Sequence, residues 1–132
     1  MKNKSNFKIL LVYPNIQMCE MMPYSIGLLT AILRKAGFTV DLFDTTFYVD
    51  KVNEQYEAFH DYVQEFDWKE KGNIYKTDVI KDFHKKIEKF GPDLIAMSVV
   101  ENTYPTARTM IRSFKEDMKK IPIVWGGVFA TF

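Results

Sequence analysis

Residues 7–14 read FKILLVYP, a nearly unbroken apolar run closed by a proline. A strand with one wet face alternates polar and apolar residues, but from Ile9 to Pro14 the only polar side-chain group is the Tyr13 hydroxyl. Both faces must therefore be covered, which is the condition of a strand inside a parallel sheet. The sequence that follows supplies the covering elements. Residues 24–36, YSIGLLTAILRKA, place Ile26, Leu29, Ile32 and Leu33 at helical spacing ahead of Gly37, which predicts a buried helix. Residues 38–43, FTVDLF, are rich in strand formers. Val79, Ile80, Phe83, Ile87 and Phe90 form an amphipathic stripe with Lys81, Lys85, Lys86 and Lys89 outside it, and Gly91 and Pro92 stop that helix. A strand is expected over residues 93–100, DLIAMSVV. A helix over 105–119 carries Ala107, Met110, Ile111, Phe114 and Met118, and a fourth strand at 121–125, IPIVW, runs into Gly126 and Gly127.

Strand and helix alternate throughout, the pattern of an α/β domain with a doubly wound parallel sheet, Rossmann- or flavodoxin-like, in three αβα layers. The expected strand order is 2-1-3-4. Ligands of such sheets lie beyond the carboxyl ends of the strands, where the order reverses between the first and third strands. The loops at residues 14–23 and 98–104, and the stretch from Gly126 onward, are thus the candidate ligand loops.

Two features depart from a plain doubly wound domain. Residues 44–77 exceed what a crossover needs and hold Phe47, Tyr48, Tyr56, Phe59, Tyr62, Phe66, Trp68 and Tyr75 among many acids. Val52, Tyr56, Phe59, Val63 and Phe66 share one helical face, so this aromatic, acidic insert reads as a supporting helix, or as a lid or docking face. The chain is also read as a single domain over residues 1–132, truncated at its C-terminus and part of a larger polypeptide. An uncovered edge on the fourth strand would invite a dimer.

Composition narrows the function. With 18 basic and 17 acidic residues interleaved along 132, the chain lacks the basic stripe of a nucleic-acid binder. Aromatics make up 15% of it, enough to fill a core or line a site. No apolar run reaches membrane length. The lone Cys19 can form neither an internal disulfide nor a cluster site, which suits a reducing, cytoplasmic setting. A dinucleotide site would need G-x-G-x-x-G after the first strand, yet that turn reads Pro14, Asn15, Ile16, Gln17, Met18, Cys19. A phosphorelay receiver would need acids where Tyr13 and Pro14 stand. His60 and His84, the only histidines, fall in segments read as helical surface, and neither has a partner at metal-ligand spacing. Asp82, Phe83 and His84 begin a D-x-H-x-x-G pattern, but Ile87 occupies its glycine position.

The segments KILLVYP at 8–14, PYSIGLL at 23–29, LRKAGFTV at 33–40, PDLIAMS at 92–98 and IPIVWGG at 121–127 resemble the cobalamin-binding domains at the N-terminus of radical S-adenosylmethionine enzymes. Thr103, Ala107, Ala130 and Thr131 agree, and the likeness covers most of the chain apart from 44–77. It implies a corrin across the carboxyl ends of the strands, with its heterocyclic tail in a slot between sheet and helices. Small residues suit such a slot: Ser98 offers a hydroxyl with little bulk, and Gly126 and Gly127 let a planar ring approach the backbone. The implied cofactor-binding residues are Tyr13, Pro14, Met18, Met22, Ser98, Thr103, Gly126 and Gly127. No catalytic residue and no protein metal ligand is expected. Related cobalamin proteins supply a cobalt-ligating histidine after the first strand, whereas this loop carries Met18, Cys19, Glu20, Met21 and Met22. Cobalamin is thus expected to bind without a histidine axial ligand.

S-adenosylmethionine and a 4Fe-4S iron–sulfur cluster would belong to a downstream catalytic domain of the parent, a methyltransferase or radical rearrangement enzyme, because C-x-x-x-C-x-x-C is absent here. The rival reading is a cofactor-free interaction domain. The two differ in whether the slot between Ser98 and the diglycine is open or filled by Trp125 and Phe129.

Overall fold

The apolar run after Lys8 is covered on both faces. Leu10 and Val12 belong to one buried cluster with Phe43, Phe83, Ile95, Met97 and Met110, whereas Ile9 and Leu11 belong to another with Ile26 and Val40. The computed structural model describes residues 3–15, 24–48 and 78–127. Within them the chain forms β1 (Lys8–Tyr13), α1 (Tyr24–Lys35), β2 (Thr39–Asp44), α2 (Val79–Phe90), β3 (Leu94–Ser98), α3 (Tyr104–Arg112) and β4 (Ile123–Gly126). All pairings are parallel and the sheet order is β2-β1-β3-β4, as expected. One face carries α1 and the other α2 and α3, giving the three layers. No helix among the described residues is long and apolar enough to cross a membrane.

The α2 layer follows from its sequence. Asp78 caps the helix by accepting the Lys81 N–H at 2.9 Å, and the Gly91 N–H closes it on the Ile87 carbonyl. Its inward Phe83 is fully buried between Phe43 and Phe114, with ring centroids 5.1 and 5.7 Å away, so much of the aromatic content is core. The Tyr48 hydroxyl donates to Asp82 at 3.0 Å, joining the turn after β2 to α2. Burial, and then the Asp82 carboxylate, hold the Tyr48 phenol well above its ordinary value.

Four expectations are corrected. The helix expected over 105–119 ends at Arg112, where the Ser113 hydroxyl takes the Met110 carbonyl at 2.6 Å; a separate turn at Met118–Lys120 then buries Met118. The same Ser113 oxygen lies 2.9 Å from His84 Nε2, so His84 is half-buried and partnered. On α1 only Ile26 is buried; Leu28, Leu29 and Ile32 are 63%, 45% and 53% exposed. This helix packs on β1 and β2, and Arg34 donates to the Val40 carbonyl of β2. β2 itself runs on through Asp44 into a buried turn at Thr45 and Thr46, so the insert starts later than residue 44. Its helical reading over 52–66, like His60, lies outside the described residues.

Lys86 of α2 pairs with Asp41 of β2 at 2.5 Å. Partial burial pushes the Asp41 carboxyl up, but the Lys86 and Leu42 hydrogen bonds and the Lys86 and Arg34 charges outweigh it and lower its pKa. A carboxylate depressed on folding stabilises the fold above its unfolded pKa, about 4, and that stabilisation is lost as pH falls through the folded value. Both groups are partly exposed, so the contribution is below about 1 kcal/mol. Lys86→Met is therefore expected to cost a little at pH 7 and nothing near pH 2, checked by urea unfolding at both pH values.

Candidate functional site

The four strands end at one edge. Tyr13 pairs in register with Asp44, Val12 with Met97, and Ser98 with Gly126. Side chains alternate along a strand, and Val12 and Met97 point into the α2 and α3 layer, so Tyr13, Ser98 and Gly126 project to the α1 face. Tyr13 accordingly packs with Ile9, Leu11 and Ile26.

Ser98 is half-buried there, and its hydroxyl has no hydrogen-bond partner among the described residues. Beside it Gly126 is exposed, and among the described residues a Cβ built on it would meet only the Met97 carbonyl, at 3.9 Å. Gly127 differs sharply. Its φ is +103°, and a Cβ there would stand 2.2 Å from the Val99 carbonyl oxygen. That glycine is demanded by the chain's own path, which the Val99 N–H to Gly126 carbonyl bond of 2.8 Å fixes. Nothing in the fold demands the other. Among the described residues its missing side chain leaves space beside the Ser98 hydroxyl, and a flat ring system with a polar margin would suit such a space.

Trp125 does not occupy this space. It points to the opposite face, against Tyr104, with ring centroids 5.9 Å apart. Val124, on the same face as Gly126, is 53% exposed, so that half of the sheet is open among the described residues.

The other sequence candidates fall in different places. Pro14 is fully buried behind the edge. Thr103 is also buried, and its hydroxyl accepts the Val100 N–H at 3.0 Å and donates to the Val100 carbonyl at 3.1 Å, organising the turn at Glu101–Thr103 that precedes α3. Met18, Met22 and Phe129 lie outside the described residues. Among the described residues no group of three His, Cys, Asp or Glu side chains could hold a metal ion.

Sequence reasoning missed a polar cluster at the β1 and β2 ends of the same edge. Asn15, Thr45 and Thr46 are at most 5% exposed, and Asn15 Nδ2 donates to Thr46 Oγ1 at 3.0 Å. Thr45 Oγ1 donates to the Asn15 carbonyl at 2.7 Å, and the Thr45 N–H to the Tyr13 carbonyl at 3.1 Å. The acid and two threonines at 44–46, directly after a strand, were the available signal.

Comparison with known proteins agrees with this fold. Residues 20–132 match the family model of the B12 binding domain. Two solved structures of TsrM, a radical S-adenosylmethionine methyltransferase from Kitasatospora setae, share the fold. One holds a tryptophan substrate and the S-adenosylmethionine analogue aza-SAM, the other cobalamin and a 4Fe-4S cluster. Each is 21% identical to this chain with a TM-score of 0.57, and the alignment covers 91% of this chain. This chain spans only 19% and 18% of their lengths. No curated protein matches it in sequence.

Proposed function

This chain belongs to the B12-binding domain family, and from that premise we propose that it is the cobalamin-holding module of a radical S-adenosylmethionine enzyme, one that transfers methyl groups or rearranges radicals. The carrying observation is the strand-end edge: a Ser98 hydroxyl without a partner among the described residues, in register with a Gly126 where an added Cβ would meet no described residue closer than 3.9 Å.

In this reading Ser98 hydrogen-bonds the heterocyclic tail, Gly126 leaves room for its ring, and Tyr13 with Ile26 forms an apolar wall. Gly127, Pro14 and Thr103 act on the site only by holding the backbone that frames it. Bound cobalamin would supply a cobalt centre able to carry a methyl group or start a radical reaction. No histidine occurs in residues 14–23, and His84 lies on α2, across the sheet, so in this reading neither that loop nor His84 would give cobalt an imidazole. The S-adenosylmethionine and 4Fe-4S sites belong to a catalytic domain elsewhere in the parent, since one cysteine cannot hold a cluster.

The test is a titration with hydroxocobalamin, followed by visible absorbance and calorimetry. Saturable binding with a base-off spectrum is expected. No saturable binding would overturn the reading, and an imidazole-ligated spectrum would overturn its ligand assignment.

A cofactor-free interaction domain is the second reading. It draws on the outward face of α1, where Tyr24, Leu28 and Ile32 are 81%, 63% and 53% exposed. The same titration separates the two.

A further inference from the structure

The last residues of the four strands, Asp44, Tyr13, Ser98 and Gly126, form one row across the carboxyl edge on the α1 face. With neighbouring strands about 4.8 Å apart, the row is about 14 Å long, the scale of a macrocycle with its side chains rather than of a single small ring. Asp44 ends this row at β2.

Its carboxyl group is clamped by one oxygen. Oδ1 accepts the Thr46 N–H at 2.9 Å and the Thr46 hydroxyl at 2.5 Å. Thr46 is itself fixed, being 5% exposed and accepting a hydrogen bond from Asn15. The carboxyl plane is therefore set by buried partners on both the β1 and β2 sides of the edge. The second oxygen, Oδ2, has no hydrogen-bond or ion-pair partner among the described residues, although the residue is half-buried. Ending β2 with a turn needs only the first oxygen, a task that Asn or Ser performs as well. The second oxygen, without a partner among the described residues, is an acceptor at the strand-end row.

We propose that Asp44 is a further cofactor-contacting residue, whose Oδ2 accepts a hydrogen bond from a peripheral carboxamide N–H of the corrin. This rests on the cobalamin reading above and deepens it. Cobalamin carries a rim of carboxamides, so it brings N–H donors to the edge wherever its ring lies along the row. A fixed carboxylate is a stronger acceptor than a neutral one, and its orientation is already set before the ligand arrives. The same charge would disfavour corrinoids whose amides have been hydrolysed to acids.

The experiment compares wild type with Asp44→Asn, using hydroxocobalamin as the probe, visible absorbance for affinity and thermal unfolding for the fold. Asparagine keeps an oxygen for Thr46 but replaces Oδ2 with an NH2 group, which sets donor against donor. Binding about tenfold weaker or more is expected, with an unchanged unfolding midpoint. Asp44→Ser, which keeps one acceptor and lacks the second oxygen, is expected to lose affinity as well, and it decides the matter should Asp44→Asn prove unstable. Variants that bind within about twofold of wild type overturn the role of Asp44 and leave the cobalamin reading standing. A wild-type chain that binds no hydroxocobalamin overturns both.

Discussion

Gly127→Ala is expected to destabilise the fold by at least about 3 kcal/mol, seen as a fall in the thermal midpoint of about 10 °C or more. Two costs combine. At φ +103° an L-residue is strained whatever surrounds it, and the new methyl carbon would lie 2.2 Å from the Val99 carbonyl oxygen. That oxygen is backbone and cannot swing aside, because the Val99 N–H is tied to the Gly126 carbonyl at 2.8 Å. Relief requires parting the ends of β3 and β4, which frame the candidate site. Thermal unfolding of wild type, Gly127→Ala and Gly126→Ala checks the prediction. Equal midpoints for all three would sink it, and a loss confined to Gly127→Ala is the expected outcome.

Gly126→Leu should do the reverse. A Cβ at this position meets the Met97 carbonyl at an ordinary 3.9 Å and no other atom of the described residues within 4 Å. Leucine also suits a strand better than glycine, so the midpoint should hold or rise slightly. Its side chain, however, would project to the α1 face directly beside Ser98, filling the space left clear there. Hydroxocobalamin affinity is expected to fall by about 100-fold or more, since a rigid ring cannot share a slot with a branched side chain anchored to a strand. Unaltered affinity in a folded Gly126→Leu protein would show that the ligand does not use this edge. Paired, the two glycine variants separate a residue needed for folding from one needed for an opening.

Most of the architecture was legible because it depends on periodicity. The β1 run with no polar face, the stripe of α2 and the Gly91 and Pro92 stop each carry a local signal that survives into the structure. The signal failed where the same pattern serves two structures. Phe114 and Met118 continue the apolar spacing of α3 and are indeed buried, yet the helix has already ended at Arg112, because a turn can bury the same side chains. The apolar face of α1 was read as buried, but apolar spacing reports what a helix could cover, not how much sheet lies beneath it. Among the candidate site residues, Ser98 and Gly126 stand at strand ends, which the topology predicts. Thr103 stands in the loop after β3, and its hydroxyl is engaged by a turn whose hydrogen bonds leave no mark in the sequence. Asp44 went unremarked because its importance depends on the register of β2 against β1.

By itself, then, the sequence determined a parallel sheet of order 2-1-3-4 with a glycine pair and a serine at its ligand edge, because strand length, helix period and crossover handedness are properties of local segments. The tertiary structure alone decided which glycine serves folding and which leaves an opening. It also decided that Trp125 turns away from the slot and that Asp44 joins Tyr13, Ser98 and Gly126 in one row. Those outcomes rest on distances between residues far apart in the chain, such as Gly127 against Val99, and only the packing of one strand beside another sets such distances.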